Sequence, residues 1–158
     1  MNGTPERRAI QELRDALSGT VAELEIHPMD VTDACHKYAE EGYEVTDRLR
    51  EFLERYGELT VTWHWRGVKQ ELTTSVERTL ESTHAMPRTL EILAKRLGQP
   101  LLLVGTVFDT EDAVLLAENR DILFYSDAGF QRVAGGFGQA VLAVVTDAWD
   151  KTFFGTAR

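Results

Sequence analysis

The fold is decided by residues 101–126, which read LLLVGTVFDTEDAVLLAENRDILFYS. Three short apolar runs are separated by two polar turns, at 109–112 and 118–121. Runs this short and this closely spaced leave no room for the helical crossovers that parallel strands need. The stretch therefore predicts an antiparallel meander of three strands. After it, Gly135-Gly136 marks the entry into an apolar helix that covers one face of the sheet.

Four further helices are predicted before the meander. Each has apolar residues at helical spacing, a capping residue or proline at its start and a glycine beyond its end. They begin at Thr4, Asp30, Thr46 and Pro87 and end before Gly19, Gly42, Gly57 and Gly98. Residues 20–27, between the first two helices, alternate weakly and predict a connector or a short edge strand.

Strict alternation over residues 59–65 predicts the first strand of the sheet, with Trp63 and Trp65 on its apolar face. This placement favours core packing of both tryptophans over a role as surface anchors. The following Arg66-Gly67 predicts a turn, and residues 68–76 could return as a hairpin partner. The polar stretch 77–86 predicts a long loop.

The length and the single cysteine indicate one domain over residues 1–158 that folds without disulfides. It consists of an N-terminal helix at 4–18, a core at about 28–148 and a tail at 149–158 whose aromatic residues pack back onto the core. The N-terminus lacks the apolar core of a signal peptide, and no apolar run approaches the ~18 residues of a membrane span. We therefore expect a cytoplasmic protein without a membrane segment.

The formal net charge is −9, from 26 acidic and 17 basic side chains. Such a charge disfavours nonspecific contact with nucleic acid and favours a basic protein partner. It also serves solubility alone, and composition does not separate the two explanations. No basic patch with interleaved aromatic residues is present, so direct nucleic-acid binding is not expected.

No catalytic or metal motif emerges from the chemically active residues. The four histidines have no partners at metal-binding spacing, and Cys35 falls on an apolar helix stripe, which predicts a buried, inert thiol. The glycines of 135–138 lack the ending of a phosphate-binding loop, and the acidic turn at 109–112 lacks the frame of a calcium loop. We expect no cofactor, no metal and no catalytic residue.

Several segments, in their order along the chain, resemble the SUKH superfamily, and most closely its third subfamily of bacterial immunity proteins. The resemblance covers about residues 28–148. The segments that carry it are Glu44-Val-Thr-Asp47, Leu49-Arg-Glu-Phe-Leu-Glu-Arg-Tyr-Gly57, Leu103-Val-Gly105, Ala113-Val-Leu115, Ile122-Leu-Phe-Tyr125, Gly129 and Gly136-Phe-Gly-Gln-Ala140. It implies an α+β domain that binds and neutralises a toxin, often a nuclease or a nucleic-acid deaminase, from a polymorphic toxin system.

Loops on a rigid sheet commonly carry recognition, and they supply the candidate contact residues for a basic toxin. The candidates are Trp65, Arg66, Asp109, Glu111, Asp112, Glu118 and Asp121. Two other interpretations stay open: a regulatory interaction scaffold of the same fold, and a small hydrolase that uses His64 or His36 with a nearby carboxylate. A homodimer through open sheet edges is also possible.

Overall fold

A seven-stranded antiparallel sheet forms the centre of the structure, a computed structural model that describes residues 6–155. The strands lie side by side in chain order, so each strand pairs with the one before it. Their bounds are β1 (Glu23–Ile26), β2 (Leu59–Trp65), β3 (Val68–Thr73), β4 (Leu101–Val107), β5 (Asp112–Ala117), β6 (Ile122–Ser126) and β7 (Gly129–Ala134). This arrangement confirms the predicted α+β class and the antiparallel sheet.

Six helices accompany the sheet in the described part of the chain. They are α1 (Arg8–Leu17), α2 (Val31–Glu40), α3 (Asp47–Tyr56), α4 (Val76–Glu81), α5 (Pro87–Leu97) and α6 (Phe137–Val145). The caps of α2 and α3 are those predicted, because the side chains of Asp30 and Thr46 each accept a backbone N–H bond from the first turn. The predicted cap Thr4 of the first helix lies outside the described residues.

Two segments differ from their predicted secondary structure. The meander continues into a fourth strand, β7, where the glycines had indicated only an entry into the last helix. Gln131 and Arg132 interrupt its apolar pattern, and a two-residue turn at 127–128 joins it to β6. The stretch 77–86 is also not all loop, because α4 occupies its first half, with Ser75 accepting a hydrogen bond from the Arg78 N–H.

The core is built around β4, whose seven residues are all buried. Since successive side chains of a strand point to opposite faces, both faces of the sheet are covered here. Helices α3, α4 and α5 all contact β4. On α2, the fully buried Tyr38 donates a hydrogen bond from its hydroxyl to the Leu103 carbonyl oxygen, at 2.9 Å. Cys35 is buried on the same helix, as its stripe predicted.

Gly105 allows β3 and β4 to approach each other closely. A Cβ atom at this position would lie 2.5 Å from the Thr73 carbonyl oxygen, which belongs to the backbone and has little freedom to move. The β4–β5 register also shifts between Leu103 and Gly105. The glycine is therefore required by contact with a neighbouring strand.

We predict that Gly105→Ala lowers the free energy of unfolding by about 3 kcal/mol, since the added methyl group forces two strands apart. Urea denaturation followed by circular dichroism measures the change. Gly138→Ala is the matched control, because it lies in α6 with no atom within 4 Å of the added Cβ. It should stabilise the protein by up to about 1 kcal/mol through helix propensity. Equal effects of the two substitutions would contradict the strand-contact argument.

Candidate partner-binding surface

Three hairpin turns lie at the same end of the sheet. In a sheet whose strands follow chain order, successive connections alternate between the two ends. The turns at 66–67, 108–111 and 127–128, which follow β2, β4 and β6, therefore share one end. The β5–β6 turn at 118–121 lies at the other.

This topology divides the seven residues predicted from sequence into two groups. Five of them lie at the shared end and two at the opposite end. The first group is Trp65, Arg66, Asp109, Glu111 and Asp112, and the second is Glu118 and Asp121. Asp121 already has a partner within the chain. Its carboxylate accepts two hydrogen bonds from the Arg132 guanidinium, each 3.0 Å long, and so connects the β5–β6 turn to β7.

Trp65 is exposed, contrary to the prediction that both tryptophans of β2 pack in the core. Trp63 is 2% exposed, whereas Trp65 is 40% exposed. The reason is the short pairing of β3 with β4, which involves only Leu72 and Thr73 of β3. The β2–β3 hairpin therefore extends past the end of β4, and its last residues leave the part of the sheet covered by helices.

Below Trp65 the surface forms a cavity of about 330 Å³, which we call the aromatic groove. Its walls are aromatic and its rim carries charged side chains. The aromatic members are Trp63, Trp65, Phe108, Trp149 and Phe153, and the charged members are Asp109, Asp112, Asp147 and Lys151. Three of the residues predicted from sequence, Trp65, Asp109 and Asp112, thus line one feature.

The C-terminal segment 149–154 forms one wall of the aromatic groove. The Trp149 ring packs against Phe108 and Phe124, with centroids 6.4 and 5.4 Å away. The Gln131 side chain donates a hydrogen bond to the Lys151 carbonyl oxygen at 2.9 Å, and backbone bonds join Phe154 to Phe130 on β7. Sequence reasoning placed this tail on the domain but missed its contribution to the site, because the tail carries no motif.

The Lys151 ammonium group lies between two tryptophan rings. Its Nζ atom is 5.8 Å from the Trp65 ring centroid and 5.7 Å from that of Trp149, within the range of a cation–π contact. It also forms an ion pair with Asp147, four residues earlier in the chain. The hydrogen bond from Lys151 lowers the pKa of Asp147, and Trp65 and Arg66 act in the same direction. The Arg66 guanidinium lies 4.5 Å from the Trp65 centroid.

Asp112 is a half-buried carboxylate on the rim of the aromatic groove. Burial raises its pKa, and the nearby charges of Asp109 and Asp127 act in the same direction. The Thr110 hydroxyl donates a hydrogen bond to it at 2.8 Å and, together with His84, partly offsets the rise. The ionised form is therefore held at a cost to stability, as is common where charge serves recognition.

Histidine, cysteine and carboxylate side chains are the groups that could support metal binding or catalysis. Within residues 6–155, no group of three or more His, Cys, Asp and Glu side chains is placed to hold a metal ion. His36 and His64 are exposed, and in the described part of the chain neither forms an ion pair with a carboxylate. The hydrolase hypothesis thus gains no support from these two histidines. Among the described residues, no helix has the length and apolar character needed to cross a membrane.

Comparison with protein families shows where the chain belongs. A family model described as SUKH-3 immunity protein matches residues 8–147, from the start of α1 to just beyond α6. The chain is a member of the SUKH-3 immunity protein family. Searches of curated proteins and of solved structures found no match. Within this SUKH-3 protein, Trp149 and Lys151 lie beyond the matched residues.

We predict that Asp112→Asn stabilises the protein at pH 7 and that the gain shrinks as the pH falls. Folding raises the pKa of this carboxyl above its usual value, so the ionised form destabilises the folded state at neutral pH. That penalty disappears as the pH drops through the folded-state pKa toward the unfolded value. Thermal unfolding of both proteins between pH 7 and pH 4 measures the difference in stability.

Asp109→Asn, in the same turn but exposed, is the matched control and should change stability little at either pH. A gain from Asp112→Asn that is the same at pH 4 and pH 7 would contradict the burial argument.

Proposed function

We propose that this protein binds a cognate toxin domain of a polymorphic toxin system and neutralises it by occluding the surface that the toxin uses. The observation that carries the proposal is the SUKH-3 immunity family match over residues 8–147. The sheet end with the three turns supplies the contact surface. Inhibition by occupancy needs no reaction at this surface and no cofactor.

The exposed side chains at this end have the character of a protein interface. Trp65, Val68 and Phe153 are 40, 51 and 44% exposed, and large apolar groups of this kind anchor partners. Asp109 and Glu111 are exposed beside them. The result is an apolar centre with acidic side chains on the β4–β5 turn, which suit a partner that presents a basic surface there.

A basic toxin fits the net charge of −9 as well as the local surface. Nucleases and nucleic-acid deaminases carry basic surfaces that hold phosphate groups. An acidic inhibitor speeds association with such a surface and competes with its nucleic-acid substrate. The encounter takes place in the cytoplasm of the producing cell, where we place the protein.

Co-expression with the C-terminal toxin domain encoded beside its gene tests the function. We expect one-to-one co-purification and rescue of cells from the toxin, with an unrelated toxin of similar charge as the control. Absence of both binding and rescue for the neighbouring toxin would overturn the immunity role. It would favour a regulatory scaffold of the same fold.

Charge reversal tests the surface. We predict that Asp109→Lys combined with Glu111→Lys slows association with the toxin by about tenfold at low salt, because both charges lie on the contact rim. The control is Glu118→Lys with Asn119→Lys, which adds three positive charge units at the opposite end of the sheet against four for the test pair. It should leave association nearly unchanged. Surface plasmon resonance at several salt concentrations measures the rates. A larger effect from the control pair would move the contact surface to the β5–β6 turn.

A further inference from the structure

We propose that the aromatic groove receives a cationic side chain of the toxin, best an arginine, and that Lys151 is an internal occupant which this side chain displaces. The proposal rests on the proposed immunity function and adds the anchor point of the complex. The site is formed by Trp65 together with Trp149 and Lys151. The last two of these residues lie outside the family match.

The groove already binds a cation of its own chain. The faces of two tryptophans hold the Lys151 ammonium at 5.8 and 5.7 Å, and the Asp147 carboxylate completes the site. Tryptophan is the aromatic residue that attracts a cation most strongly, and the neighbouring carboxylate adds charge attraction. A second cation of similar size would find the same three groups.

The Lys151 side chain can leave the groove without collapse of the site. Its side chain and that of Asp147 are both about half exposed, at 48 and 41%, and an ion pair so exposed to solvent is weak. The wall around it is held by other groups: the Lys151 carbonyl oxygen by Gln131, and the Trp149 ring by Phe108 and Phe124. Departure of the ammonium therefore leaves the Trp149 wall in place.

Negative charge remains in the groove once the ammonium has left. Asp109, Asp112 and Asp147 all line the groove. Without Lys151 no basic side chain lines the groove beside these carboxylates. Arg66 lies against Trp65 and acts on Asp147 from there. An arginine matches this environment better than a lysine, because its planar guanidinium stacks on aromatic rings and is more weakly hydrated.

The groove can be tested first in the protein alone. Nuclear magnetic resonance should show the Lys151 side-chain methylene protons shifted upfield by the tryptophan rings. The shift should persist in Trp65→Phe and shrink in Trp65→Leu, which keeps apolar volume but loses the aromatic face. Random-coil positions for these protons in the unsubstituted protein would overturn the internal occupant.

Binding to the toxin domain, in a catalytically inactive form, tests the displacement. We expect Trp65→Leu to raise the Kd by about tenfold, Trp65→Phe to raise it much less, and Lys151→Ala to lower it. In the wild-type complex the Lys151 methylene protons should return to random-coil positions. Folding of each variant is checked by thermal unfolding, and Trp65 is exposed enough that both variants should fold.

The two levels of the proposal fail separately. If the wild-type protein does not bind the toxin domain, the immunity function fails. If it binds while Trp65→Leu and Trp65→Phe bind equally well, or while Lys151 keeps its shifted resonances in the complex, the function stands and the cation-exchange site is wrong.

Discussion

Burial of β4 on both faces is the constraint on which the rest of the structure depends. A strand covered on both sides must be apolar or small throughout, as Leu101–Val107 is, and must pack tightly against its neighbours. Gly105 meets that demand against Thr73, and the Tyr38 hydroxyl satisfies a carbonyl group of the strand. Helices from both halves of the chain thereby join one core.

The same constraint determines where recognition can occur. Helices α3, α4 and α5 contact β4, while the β2–β3 hairpin extends beyond the end of that strand. Trp65, beside the tip of this hairpin, is therefore exposed, and removing its ring takes little from the core. If this end binds a toxin as we propose, substitutions here can alter the partner while the seven-stranded framework is kept.

Features that depend on local sequence patterns were predicted correctly, whereas features that depend on contacts between distant residues were not. The caps at Asp30 and Thr46 and the glycine-terminated helices were predictable because their signals lie within a few residues. The exposure of Trp65 was not, since alternation puts it on the same face as buried Trp63 and only the short β3–β4 pairing separates the two. Lys151 was missed because the wall it belongs to exists only once the tail has packed on β7.

Under the proposed immunity function, a protein that displays tryptophan before its partner arrives faces a conflict between affinity and solubility. An exposed Trp65 beside Trp149 and Phe153 invites association with unintended partners. A lysine carried on the same chain covers part of that surface and supplies the opposite charge to Asp147. Under the proposed exchange, a tightly fitting arginine can replace this weakly held, solvent-exposed cover at low cost. A purely apolar partner would instead leave Asp147 without the cation that Lys151 supplied. The internal cation thus favours partners that bring a charge of their own.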